Sequence, residues 1–153
     1  MLKVQLSYPN YSNVIKNLDI TDKLLRDALI TGIKQATDLL YKTVKSPGYV
    51  PVDTGKLRDS ITISNFDSKK ISQGVFADMR KARYAEWVEF GHNTRSGEFV
   101  QGSHYMHRSF QSIKPQMSDM IKGNLVNKLS HYKFNTKSGT VQNINSGQFA
   151  GKF

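Results

Sequence analysis

Two groups of residues have the types and spacing that chemistry requires. Asp53-Thr54-Gly55 is the tripeptide that supplies a carboxylate in aspartic proteases, where two such carboxylates hold one proton between them. A chain with a single copy would have to dimerise to use it. The surroundings argue against that use, because the protease motif has two apolar strand residues before it and a small residue after it. Here Pro51-Val52 precedes and Lys56 follows, and a lysine beside the dyad would keep both carboxylates ionised. His104 and His107, three apart, could share a metal, but no third ligand accompanies them at a recognisable spacing. No GxxxxGK[ST], GxGxxG or G-x-S-x-G string is present. The chain therefore reads as a non-enzyme without metal or cofactor.

Composition narrows the classes further. The 153 residues contain no cysteine, which removes disulfide frameworks, thiol nucleophiles, zinc ribbons and iron–sulfur clusters together. No stretch reaches the ~18 apolar residues of a membrane span. Met1 to Pro9 lacks the apolar core of a secretory signal, so no membrane partner is expected. Lys and Arg number 22 against 12 Asp and Glu, a net charge of +10. An excess of that size suits an acidic protein surface or a nucleic acid. From Gln111 onward there are six Lys and one acid, Asp119. A basic nucleic-acid-binding module is the alternative function, although no zinc finger, RNA-recognition motif or basic stripe with interleaved aromatics is visible.

The elements that must carry these residues follow from periodicity. Val4, Leu6 and Tyr8 alternate as in a short strand. Leu25, Leu29, Ile33, Ala36, Leu40 and Val44 predict a long helix, capped by Asp19 or Thr21 and stopped at Ser46-Pro47-Gly48. Asp53 is placed to cap a short helical turn carrying Leu57 and Ile61. Residues 61–65 and 71–77 predict a β-hairpin turning at Asp67 to Lys70. Residues 83–90 predict a short helix ended by Gly91, followed by an irregular loop to Ser103. Met106, Phe110, Ile113, Met117, Ile121, Leu125 and Leu129 predict a second long helix, kinked or split at Pro115. From Tyr132 the chain is rich in Asn, Ser, Gly and Lys and reads as an extended or flexible arm. The fold expected is α+β: a small antiparallel sheet packed against a long N-terminal helix and a C-terminal helix. Residues 1–131 form the single domain and 132–153 the arm.

Two strings in this order carry a resemblance. Pro51-Val52-Asp53-Thr54-Gly55-Lys56-Leu57-Arg58-Asp59-Ser60-Ile61 fits P-x-D-T-G-x-L-R-x-S-I, and Tyr84-Ala85-Glu86-Trp87-Val88-Glu89-Phe90-Gly91 fits Y-A-x-x-V-E-F-G. With the flanking helices, residues 20–130 resemble the head–tail joining, or tail-completion, family of long-tailed bacteriophages. The chain departs from the family where His92 replaces the usual Thr and Ser103-His104-Tyr105-Met106 replaces a Pro-Phe-(Leu/Met) start of the last helix.

The resemblance implies a structural virion protein of the phage neck, assembled in the host cytoplasm into a ring of six copies. Its partners would be other copies of itself, a head-closure protein, and the tail terminator or tail tube, with DNA passing through the channel. The motif residues read as architectural: Pro51 fixes a turn, Asp53 caps, Gly55 permits close approach, and Leu57 and Ile61 reach the core. Thr54, Ser60, Ala85 and Phe90 complete the two strings. Tyr84, Val88 and Gly91 share a face, and Glu89, set apart, is expected to pair with Arg58. Neighbours would be met by His92, Arg95, Glu98 and Phe99 in the loop, and by Tyr132, Lys133, Phe134, Phe149 and Phe153 in the arm.

Overall fold

The computed structural model describes residues 3–6, 19–135, 140–144, 146 and 149–152. In chain order they form β1 (Lys3–Leu6), α1 (Asp19–Lys45), α2 (Lys56–Ser60), β2 (Ile61–Ile63), β3 (Gln73–Ala77), α3 (Ala85–Phe90), β4 (Gly91–Asn93), β5 (Phe99–Gln101), α4 (Tyr105–Ser130), β6 (Tyr132–Asn135), β7 (Thr140–Asn143) and β8 (Phe149–Lys152). The class is α+β, as the periodicity requires. Val4 and Leu6 lie in β1, whereas Tyr8 and Phe153 lie outside the described residues.

The two long helices pack along each other and supply most of the core. Leu29, Ile33, Ala36, Leu40 and Val44 of α1 are buried against Met106, Ile113, Met117 and Ile121 of α4. Leu25 stays half-buried at the end of the stripe. The helices meet most closely where Gly32 faces Ile121, since a Cβ on Gly32 would lie 3.0 Å from the Ile121 Cα. Burial of this stripe holds the pair together, because a long amphipathic helix gains its stability from packing rather than propensity.

A three-stranded antiparallel sheet, order β1-β3-β2, lies against α1. Val75 pairs with both Val4 and Ile63, and Ile61 pairs with Ala77. Val75, Ala77 and Ile61 point into the helix layer. The turn between β2 and β3 is built by Asp67, whose carboxylate accepts the amides of Lys69 and Lys70 at 2.9 and 3.1 Å. Those amides, with the two lysine charges, hold the Asp67 carboxyl below its ordinary value.

Three expectations change here. Pro115 neither splits nor ends α4, which runs unbroken from Tyr105 to Ser130. Pro115 is on the exposed side, where the Gln111 carbonyl left without an amide partner can turn to water. The loop from His92 to Ser103 holds the β4–β5 hairpin, with His92 opposite Val100 and Asn93 opposite Phe99. Its turn closes through Thr94 N–H to the Glu98 carbonyl (2.7 Å), Glu98 N–H to Thr94 Oγ1 (3.1 Å) and Gly97 at φ 86°. Where an extended arm is expected, β6, β7 and β8 form a three-stranded antiparallel sheet. Backbone pairing organises this segment, with Tyr132 opposite Asn143, Phe134 opposite Val141 and Val141 opposite Gly151. The Ile144 amide donates to the His131 carbonyl at 2.9 Å, fastening the sheet to the end of α4.

Candidate interaction surface

The first motif string folds around Gly55. Its φ of 80° belongs to the left-handed region that glycine enters without cost, and it opens α2. Asp53 therefore does not cap the helix: it stands two residues outside Gly55, is exposed, and no side chain caps α2. The Asp59 amide closes the first turn on the Gly55 carbonyl at 2.9 Å. Leu57, Ser60 and Ile61 turn inward, while Pro51, Thr54 and Arg58 stay exposed. The buried Ser60 hydroxyl donates to the Leu57 carbonyl at 2.7 Å.

The second string makes α3 and its exit. Ala85 and Glu89 are buried, Tyr84 and Val88 are half-buried, and Phe90 is exposed. The two strings meet in one hollow of about 250 Å³, lined by Pro51, Asp53, Gly55, Leu57, Tyr84 and Val88. Their pairing in sequence therefore has a spatial counterpart.

Glu89 does not pair with Arg58. Only 2% of Glu89 is accessible, and its carboxylate is spent on α4: Oε2 accepts the Met106 amide at 2.9 Å and Oε1 the His107 amide at 3.1 Å. Those are two of the orphan amides at a helix start. His104, which occupies the cap position at φ 49°, supplies no side-chain cap of its own. Glu89 thus caps α4 from another element, with its negative charge at the positive end of the helix dipole. The junction is fastened further by Ser103, whose amide (2.7 Å) and hydroxyl (3.0 Å) both donate to the Val88 carbonyl, and by the His104 amide on the Glu89 carbonyl (3.1 Å).

Backbones also approach closely here. Gly91 has φ 85°, and a Cβ on it would sit 2.5 Å from the Val100 carbonyl oxygen and 2.7 Å from the Phe99 ring. A Cβ on Gly102 would run into the Glu89 carbonyl oxygen and lie 2.5 Å from the Gly91 nitrogen. Next to this crossing Tyr105 is fully buried with no partner for its hydroxyl among the described residues. Burial, with Glu89 and Tyr84 nearby, raises the Tyr105 pKa well above the ordinary tyrosine value.

This rigid junction presents a surface. Trp87 (59% exposed) and Phe90 (58%) on α3, and Phe99 (57%) and Val100 (44%) on β5, are exposed apolar side chains. Trp87 stacks on His92 with ring centroids 5.6 Å apart, and His92 sits opposite Val100. His92 is half-buried, its Nδ1 shielded from water with no partner among the described residues. Arg95 and Glu98 are exposed at the hairpin turn. Of the arm residues, Tyr132 is half-buried; Lys133 and Phe134 lie in β6 and Phe149 in β8.

Sequence reading finds His92, Arg95, Glu98 and Phe99 but misses Trp87, Val100 and Gly102. The available signal was the density of apolar residues from Trp87 to Val100 beside a glycine at each end of the hairpin. No three-residue metal cluster occurs among the described residues; His107 is exposed and His104 half-buried.

Comparison with known proteins gives one family. The family described as "Bacteriophage HK97-gp10, putative tail-component" matches residues 12–91, a span that contains both motif strings. Comparison with curated proteins and with solved structures found no match.

Proposed function

The chain belongs to the HK97-gp10-like family of bacteriophage tail components, and on that premise we propose that it joins head to tail in the phage neck. In this reading it acts as a ring of six copies in the virion. A head-closure protein lies on one side and the tail terminator or tail tube on the other. The task is assembly rather than catalysis.

The observation that carries this reading is the exposure of three aromatic side chains, Trp87, Phe90 and Phe99, on α3 and the adjoining hairpin. Three aromatic side chains more than half exposed offer on the order of 300 Å² of contact area, and exposed aromatics are the residues that interfaces enrich. The glycine crossing and the Glu89 cap fix that surface to the two-helix core, so little ordering entropy is lost on contact. A closed head-to-tail ring needs two unlike patches on every copy. The aromatic face and the hollow between the two motif strings supply two surfaces of different shape and chemistry.

The test is negative-stain microscopy of particles assembled without this gene and then given purified protein. Filled heads and separate tails that join on addition are expected. Intact, infectious particles without the protein would overturn the joining role.

A further inference from the structure

A second surface, away from the aromatic one, has a different character. On α1, Lys23, Arg26, Ile30 and Lys34 follow at spacings of three and four, a stripe about 16 Å long at the rise of an α-helix. The β2–β3 turn lies beside it. Arg26 donates through Nη2 to the Ser68 carbonyl, and the Lys34 ammonium stands 5.2 Å from the centre of the Phe66 ring. The turn adds Lys69 and Lys70, both exposed. Five cations therefore share one face with three carboxylates, those of Asp27, Asp38 and Asp67. Asp67 is engaged in holding the turn.

We propose that this face, formed by Lys23, Arg26, Lys34, Lys69 and Lys70, binds the phosphate backbone of duplex nucleic acid without reading its sequence. The observation that favours a phosphate backbone over an acidic protein is what the face lacks. The exposed large apolar side chains among the described residues are Val52, Trp87, Phe90, Phe99, Val100, Val126 and Ile144, and none belongs to it; its own apolar residues, Ile30 and Phe66, are half-buried. Protein interfaces draw their energy from buried aromatic and apolar anchors. A row of lysines and an arginine without such anchors matches a surface whose binding comes from charge and counterion release. Phosphate contacts of this kind position a duplex and carry no base specificity. The inference does not rest on the joining role, since duplex binding by the isolated chain is a property of this face alone.

The experiment is fluorescence anisotropy of a labelled duplex with the full chain, titrated at salt concentrations between about 50 and 200 mM. The parent is compared with K69Q/K70Q and with K114Q/K122Q, which removes the same charge from exposed positions on α4. A steep fall of affinity with salt is expected for the parent. The K69Q/K70Q slope should be shallower by about two, one for each lost phosphate contact, and the K114Q/K122Q slope should stay near the parent value. Equal effects from the two pairs would reduce the binding to net charge and overturn the assignment. Absence of duplex binding at the lowest salt would also overturn it, as would equal competition by polyglutamate, which would assign the face to an acidic protein. Adding K69Q/K70Q back to particles lacking the gene separates the two roles, because joining that persists without duplex binding leaves the neck function intact.

Discussion

Glu89 and Met106 are 17 residues apart in sequence, and the Glu89 carboxylate accepts the Met106 amide at 2.9 Å inside the protein. The bond, with its companion to His107, makes the end of the second motif string the cap of the C-terminal helix. Glu89→Ala leaves two helix amides buried and unpaired, and a loss of about 2–4 kcal/mol is expected. Glu89→Gln keeps an acceptor for one amide and should lose less than half as much. Urea denaturation of the two variants gives the order. Arg58→Ala should change stability by less than about 0.5 kcal/mol and show no coupling to Glu89 in a double-mutant cycle.

Gly102→Ala places a methyl group against the backbone of Glu89 and Gly91. No side-chain rotation relieves a clash with backbone atoms, so the hairpin must shift from α3. A destabilisation of more than about 3 kcal/mol is expected, read as a fall in the denaturation midpoint or as failure to accumulate soluble protein.

Tyr105→Phe removes a buried hydroxyl that has no partner, and at neutral pH it should be neutral or stabilising by up to about 1 kcal/mol. The pH dependence has a definite sign. The folded-state pKa of Tyr105 is raised, so in the unfolded chain the phenol ionises near the ordinary value of about 10 while the folded protein keeps its proton. Stability is complete below that pH and falls as the pH rises beyond it. Chemical denaturation of parent and variant from pH 8 to about 11 should show a smaller alkaline loss in Tyr105→Phe.

Trp87→Ser combined with Phe99→Ser removes exposed surface without touching the core, and both are more than half exposed in the parent. The melting midpoint should move by no more than about 2 °C. Under the proposed function, the variant should fail to restore infectious particles when added to heads and tails made without the gene.

The helices were legible because their apolar residues repeat at three and four, and Leu29 to Val44 and Met106 to Ile121 are buried as that spacing requires. The hairpin of β2 and β3 was legible from alternation and a polar turn. Glu89 was not, because a cap delivered from another element leaves no local signature: the usual sign is Ser, Thr, Asp or Asn at the cap position, and His104 stands there. The β4–β5 hairpin reads as a loop in the sequence because its strands are three residues each, with every residue of β5 exposed, so no alternation marks them. The segment of β6, β7 and β8 reads as an arm for a related reason. Its strands pair through backbone amides, which composition does not record.

The packing of α1 on α4 also dictates when the protein can fold. Asn124 on α4 donates to Gln35 on α1, 89 residues away, and the same long separation applies throughout that interface. Contacts so distant in sequence make folding slow relative to a helical protein built from neighbouring hairpins. On the ribosome, the part of the α1 stripe that packs on α4 stays uncovered until the chain through Ile121 has emerged. Nascent chains ending before α4 therefore leave apolar surface of α1 uncovered, the kind of surface on which incompletely folded chains aggregate. Accumulation of the protein is therefore expected to depend on that interval as well as on its final stability.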